Sequence, residues 1–591
     1  MTQSTRWHSA SPRDEAILEP RRHPGVDELS TAQTLHGVIV DRATRHPNQL
    51  AMVFIENSGD HTQVSTQDLL DGSLRFGAAL RDLGIEDRDL VILVMNHSLG
   101  LVYGFIGALM IGAIPSIFPD LTERLDTTPY LGNVRDKVAR YGIRAVITVP
   151  EIKGELEELL ADLNCEVLVA EEVLAQVGKV PDLIPVEADP LATAFIQYTS
   201  GTTGVPKGIA LSHVATLNQV LSCYHAIEMQ DDDVVVSWLP FYHDMGLIGS
   251  FWLPIVGEVP TVIMSPFKWV RSPKMLLHAF TQYRGTLCWM PNFAYNHSAR
   301  FIRQRDLEGV DLSSWRLVLN GSEPVLESSH RIFVERFAQY GFRESALVTG
   351  YGMAENVLAI SITPPHQRAR IDWVDREKLH KERVAIPVEP GSDGAAEIVS
   401  NGPPVLGTQI RVVDETGSDL PERQVGQVII NSYCLFDGYY MQPELTDEVF
   451  EEAGWFRTGD LGYFANGELH VIGRAKDLII VGGKNIQPQE LESVANEIAG
   501  IRTDRSVAFG ILDEKQGTDV VVMVCEVRGN PSDEERQAMK TELRRLIAER
   551  VKVTLGDVRL VQGRWLVKTT SGKVAREESR NKYLAEFGGL R

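Results

Sequence analysis

Between Tyr198 and Gly208 the chain reads Tyr-Thr-Ser-Gly-Thr-Thr-Gly-Val-Pro-Lys-Gly. Gly201 and Gly204 free backbone N–H groups to turn inward, Ser200, Thr202 and Thr203 add hydroxyl donors, and Lys207 adds a mobile positive charge. Donors of these three kinds on one loop suit a polyphosphate. The loop is not a Walker A motif, which needs Ser or Thr directly after the lysine, because Lys207 stands between Pro206 and Gly208. A strand-like run, Leu191 to Gln197, enters the loop and an apolar segment, Ile209 to Leu211, leaves it.

Further strings follow in order: Leu-Pro-Phe-Tyr-His-Asp-Met-Gly-Leu ending at Leu247, Asn-Gly-Ser-Glu ending at Glu323, Tyr-Gly-Met-Ala-Glu ending at Glu355, Arg-Thr-Gly-Asp-Leu-Gly-Tyr ending at Tyr463, Gly-Arg-Ala-Lys-Asp ending at Asp477, and Thr-Ser-Gly-Lys ending at Lys573. Singly each has an ordinary explanation, as a turn, a solvated charge or a core residue. Together and in this order, from about residue 35 to the C-terminus, they resemble the adenylate-forming superfamily of acyl-CoA ligases, luciferases and peptide-synthetase adenylation domains. That resemblance implies ATP-dependent activation of a carboxylate: attack on the α-phosphorus with departure of pyrophosphate, in a site that neutralises the developing charge.

The resemblance also implies the site. Thr199, Ser200, Gly201, Thr202, Thr203, Gly204 and Lys207 would hold the β- and γ-phosphates of ATP. Glu355, with Thr203, would take Mg²⁺, which prefers hard oxygen ligands. Tyr351, beside Gly352 and Met353, would stack on adenine against Gly321, Ser322 and Glu323. Asp460 would accept both ribose hydroxyls, Arg474 would hold ribose or phosphate, and Lys476 would mark the hinge. Lys573 would bridge the incoming carboxylate and the α-phosphate, entering the site in only one arrangement of a small rotating domain.

Three features favour the fatty acyl-AMP ligase branch: the Tyr-His-Asp-Met-Gly-Leu core, an insertion containing Val374-Asp-Arg-Glu377, and the run from Gly473 to Ile480 followed by Lys484-Asn485 and Pro488-Gln489. Such enzymes pass a medium- or long-chain acyl group to the phosphopantetheine thiol of an acyl carrier protein. The stretch Val481 to Gln487 departs from that branch's usual hinge loop, so an acyl-CoA ligase is the nearest alternative and a noncatalytic nucleotide- or acyl-binding relative a further one. His243 occupies the place of the aspartate that meets a substrate amine in peptide-synthetase domains, with Asp244 adjacent. Tyr242, Met245, Trp252 and Trp289 to Phe293 offer an apolar path for an alkyl chain or plain core. Arg502, Arg505, Lys540, Arg544, Arg545 and Arg550 could face an acidic carrier protein, or form a solvated helix face balanced by Glu542 and Glu549.

These groups need a scaffold larger than one core. The chain has 591 residues, 43% of them hydrophobic, which implies at least two domains. Apolar runs at Leu90 to Val94, Ala145 to Val149, Val167 to Ala170, Val234 to Trp238, Thr261 to Met264 and Leu317 to Leu319 alternate with helical patterns, the mark of helix-covered, mostly parallel sheets. The α/β fold expected is a large N-terminal domain over 31–475, including a small β-barrel-like subdomain and an irregular insertion near 363–400. A small mobile α+β domain follows over 476–591, and residues 1–30 form a loose tail. Ser65 with Asp68, and Ser532 with Glu535, read as capping boxes. Asn466-Gly467 reads as a hairpin turn. The uncharged segment Leu99 to Phe118 reads as a buried helix running into a strand rather than a membrane span, since glycines and Pro115 interrupt it. A formal charge of −22 argues against nucleic acid as a partner, and five scattered cysteines fit a reducing cytoplasm.

Overall fold

The computed structural model describes residues 25–57, 59–119, 127–176, 180–198, 207–481, 484–513, 518–568 and 573–588. Of the expected tail 1–30, residues 1–24 lie outside the described residues, as do Thr199 to Pro206 of the phosphate loop, whereas Val26–Leu29 form a short helix with Val26 buried.

The central sheet has eight strands. From one edge the order is Ala359–Ile362, Leu347–Gly352, Leu317–Asn320, Leu287–Met290, Val235–Ser237, Thr261–Met264, Leu50–Asn57 and Asp60–Ser65. The six inner strands run parallel and the two outer ones antiparallel to their neighbours. A second, all-parallel sheet orders Ile114–Ile117, Leu90–Val94, Ala145–Thr148 and Glu166–Val169. Every residue of Leu90–Val94 is buried, which is why this strand reads as an unbroken apolar run: helices cover both faces of a parallel sheet. Thr193–Tyr198, Gly208–Ser212 and Gly438–Tyr439 form a third, antiparallel ribbon on either side of the phosphate loop.

The capping box at Ser65 is present. The Asp68 N–H donates to Ser65 Oγ at 3.1 Å and the Ser65 N–H donates to Asp68 Oδ2 at 3.0 Å. The helix Thr66–Asp82 then buries Leu69, Phe76 and Leu80 and stops before Gly84, whose φ of 78° suits a residue without a Cβ. Helix Leu99–Met110 is buried on nearly every side, and Gly107 packs so closely that an added Cβ would lie 2.8 Å from the Gly77 nitrogen. Backbone contact of that kind belongs to a protein core. Among the described residues no helix is long and apolar enough to cross a membrane.

The insertion differs from the irregular stretch expected. Strands Ile371–Asp375 and Ala395–Val399 pair antiparallel around helix Arg376–Glu382, which Asp375 caps by accepting from the Lys378 N–H at 3.0 Å. The prolines fall between these elements, and Val374, Leu379 and Ala396 share a small core with Leu461 and Tyr463. The neighbouring four-stranded antiparallel sheet comprises Thr408–Val413, Gly426–Ser432, Phe456–Ala465 and Glu468–Arg474. Asn466 and Gly467, with φ of 55° and 75°, make its tight turn.

Beyond Ile479 a separate core forms around strands Ile501–Asp513, Thr518–Val527 and Leu555–Val561. Helices Pro488–Glu497 and Asp533–Arg550 pack on one face, where Leu543 and Ile547 are buried. Tyr583 of helix Arg576–Phe587 and Leu566 cover the other. The second capping box is also present, with the Glu535 N–H on Ser532 Oγ at 3.2 Å. On the basic helix, Arg545 contacts Glu542 and Glu549, each at 2.7 Å, and Arg550 contacts Glu497 at 2.7 Å.

Candidate active site

The functional strings gather where the parallel strands of the central sheet end, the usual ligand position in open α/β sheets. After Val235–Ser237 the chain turns at Pro240, whose carbonyl accepts from the His243 N–H at 3.2 Å, and enters a wide π-helical turn, Met245–Trp252. Gly246 is required there, because a Cβ would fall 2.1 Å from the Pro240 oxygen. Asp244 caps the turn by accepting from the Met245 N–H at 2.7 Å, and its Oδ1 lies 2.5 Å from His243 Nδ1. Burial alone would raise the Asp244 pKa, but the adjoining His243 and the Lys573 ammonium hold it below the ordinary aspartate value.

Strand Leu317–Asn320 delivers Gly321, Ser322 and Glu323 to the same place. Ser322 takes a left-handed φ of 72° and its hydroxyl sits 3.3 Å from His243 Nε2. Glu323 accepts the Phe293 N–H at 3.0 Å, at the start of helix Asn292–Phe301, where an anion is favoured.

Strand Leu347–Gly352 carries Tyr351, whose hydroxyl donates to Asp460 Oδ2 at 2.6 Å. Asp460 and Arg474 are cross-strand neighbours, and Arg474 Nε lies 3.4 Å from Asp460 Oδ1. Met353 is buried, and its N–H bonds to the Leu358 carbonyl at 2.8 Å to close the turn that presents Glu355. Glu355 Oε1 accepts from the Tyr439 hydroxyl at 3.1 Å, and Lys207 Nζ sits 4.5 Å above the Tyr439 ring. Burial raises the pKa of Glu355, Asp460 and Glu323 alike.

Lys573 reaches this cluster from the small domain. Burial lowers its pKa, while the facing charges of Asp244, Glu323 and Asp460 oppose that shift. The small domain thus brings its loop lysine within electrostatic reach of these carboxylates. Lys476 lies on the helical turn Ala475–Asp477 that leads into it.

Met245, Trp289, Leu319, Leu358 and Ile362 line a narrow cleft of about 30 Å³ beside Tyr351. Trp289 covers Gly249, where a Cβ would meet the indole at 3.1 Å. Trp252, offered as part of an alkyl path, is instead fully buried against Phe105 and Phe251. Thr199, Ser200, Gly201, Thr202, Thr203 and Gly204 lie outside the described residues. Sequence reasoning missed Tyr439, which reads as one more aromatic residue among apolar neighbours.

Residues 39–440 match the family described as AMP-binding enzyme. The chain belongs to that family. This AMP-binding enzyme is 34% identical to a "Putative acyl-CoA synthetase" of Caulobacter vibrioides, over 76% of this chain and 75% of the relative. It is 34% identical to the "Long-chain-fatty-acid--AMP ligase FadD32" of Mycobacterium marinum, over 67% and 70%. It is 28% identical to the "Medium-chain-fatty-acid--[acyl-carrier-protein] ligase JamA" of Moorena producens, over 93% and 95%. A solved structure from work on fatty acyl-adenylate ligases of E. coli and L. pneumophila superposes with a TM-score of 0.86 at 27% identity, covering 94% of this chain and 99% of that one.

Proposed function

We propose that this enzyme activates a fatty carboxylic acid with ATP, forming acyl-AMP and pyrophosphate, and then transfers the acyl group to a carrier-protein thiol. The observation that carries the reading is Lys573 among Asp244, Glu323, Asp460 and Arg474, beside a cleft whose far wall is apolar.

In the first step a carboxylate oxygen attacks the α-phosphorus and the bond to pyrophosphate breaks. Lys573 bridges the two anions, Lys207 with the Ser200 to Gly204 backbone holds the departing phosphates, and Asp460 with Arg474 fixes the ribose. Tyr351 offers its ring to the adenine, and its hydroxyl, already on Asp460, orients that carboxylate. His243, tied to Ser322 and Asp244, shapes the wall at the reacting carboxyl. The Glu355 carboxylate is a hard oxygen donor, as Mg²⁺ requires, and Thr203 is its expected partner. Mg²⁺ bound there supplies charge neutralisation on the phosphates. In the second step the thiol sulfur attacks the acyl carbonyl and AMP leaves.

Carrier protein rather than free coenzyme A is supported by the name of the JamA relative and by the insertion, which grips the small domain. Arg376 and His380 contact Glu490 at 3.0 and 2.7 Å, and Asn485 donates to the His380 carbonyl at 3.1 Å. The five unpaired cysteines fit a cytoplasmic setting. The test offers preformed acyl-AMP, in separate reactions, to coenzyme A and to a phosphopantetheinylated carrier protein. Thioester on the carrier with acyl-AMP persisting beside coenzyme A is expected. Rapid acyl-CoA formation would make this an acyl-CoA ligase.

A further inference from the structure

The segment around Tyr439 straps two parts of the phosphate site together. The Tyr440 N–H donates to the Gly208 carbonyl at 2.7 Å and the Asp437 N–H to the Ala210 carbonyl at 2.9 Å, so the segment is tied to the strand that directly follows Lys207. On its other side the Phe436 N–H donates to the Glu355 carbonyl at 2.8 Å. Between these ties Tyr439 is 3% exposed, and its own N–H is held by Thr446 Oγ1 at 2.9 Å. One side chain thus makes two contacts of different chemistry: a ring face under the Lys207 ammonium and a hydroxyl donated to Glu355.

We infer that Tyr439 is a positioning residue that couples the phosphate-loop lysine to the metal-associated glutamate, aligning both on the same polyphosphate. The inference rests on the roles given above to Lys207 and Glu355. The ring holds the ammonium by cation–π attraction and limits where it can swing. The hydroxyl fixes one oxygen of Glu355 and so the direction of the other. Because the two contacts use different parts of the residue, they can be removed separately.

Tyr439→Phe keeps the ring and removes the hydroxyl, whereas Tyr439→Leu removes both. The readout is ATP binding by calorimetry with and without Mg²⁺, alongside acid-dependent ATP–pyrophosphate exchange. For Tyr439→Phe, metal-free ATP binding stays within about twofold, while the affinity gained on adding Mg²⁺ shrinks about tenfold, the scale of a hydrogen bond to a charged group. For Tyr439→Leu, metal-free binding also weakens, by about threefold. In a Glu355→Gln background, Tyr439→Phe costs less than about twofold more, because the partner is already altered. That last comparison stands even if Tyr439→Leu fails to fold. An unchanged Mg²⁺ gain in Tyr439→Phe, or the same loss in the Glu355→Gln background, overturns the inference. If Lys207→Ala and Glu355→Gln leave exchange intact, the functional reading itself fails; if they abolish it while Tyr439→Phe behaves as wild type, only this inference fails.

Discussion

Glu490 is the point where the small domain meets the insertion, and Glu490→Gln measures what that contact holds. Its two oxygens contact Arg376 Nη1 at 3.0 Å and His380 Nε2 at 2.7 Å, with side-chain exposures of 21% for Glu490, 22% for Arg376 and 5% for His380. Removing one partner of a fully buried pair costs about 3–5 kcal/mol. Here the pair is partly solvated and glutamine retains one acceptor, which reduces the cost to about 2 kcal/mol. A loss of that size shifts the docked-to-released balance of the small domain roughly 30-fold. Hydrogen exchange in Pro488–Glu497 and Arg376–Glu382 should speed up by that order, while strands such as Leu90–Val94 stay unchanged. Burial opposes but does not cancel the effect of His380 and Arg376, so the Glu490 pKa lies below its usual 4.5. A carboxylate depressed on folding contributes stability above the unfolded value and loses it as pH falls through the folded value. Wild-type protection at this seam should therefore persist at neutral pH and decline only below about pH 4.5, with Glu490→Gln lacking that acid-dependent decline. Unaltered exchange at the seam at neutral pH would refute the clamp.

Lys573→Ala should lower acyl-adenylate formation about 10²–10³-fold, as loss of a preorganised charge does, while transfer from supplied acyl-AMP changes less than about threefold; equal losses in both half-reactions, measured separately, would contradict the assignment. Because burial lowers the Lys573 pKa, the alkaline limb of the adenylation profile should fall below the ordinary lysine value of 10.5 and move upward in Lys573→Arg. Trp289→Ala removes the indole lying over Gly249 and should shift exchange activity toward longer acids, read from kcat/KM across a chain-length series, at a stability cost of about 3 kcal/mol read by denaturant unfolding.

Local physics made much of this fold legible. The Ser65 and Ser532 caps and the Asn466-Gly467 turn depend on residues within three positions of one another, and the structure forms all three. Buried parallel strands such as Leu90–Val94 announce themselves as apolar runs. The insertion did not, because its strands are short and their core partners, Leu461 and Tyr463, lie more than sixty residues away. The site strings marked Glu355, Asp460, Arg474 and Lys573, each with a glycine or alanine directly before it in the sequence. Tyr439 and Glu490 stayed hidden for one reason: their partners come from distant segments, and neither sits in a distinctive local pattern.

The most direct measurement incubates the protein with ATP, Mg²⁺ and an equimolar series of straight-chain fatty acids, with no thiol present, and reads the products by mass spectrometry. The account predicts acyl-AMP species with matching pyrophosphate, absent when ATP or Mg²⁺ is withheld and lost in Lys573→Ala. ATP turnover with no acyl-AMP, or adenylate formed from amino acids in preference to fatty acids, would contradict it.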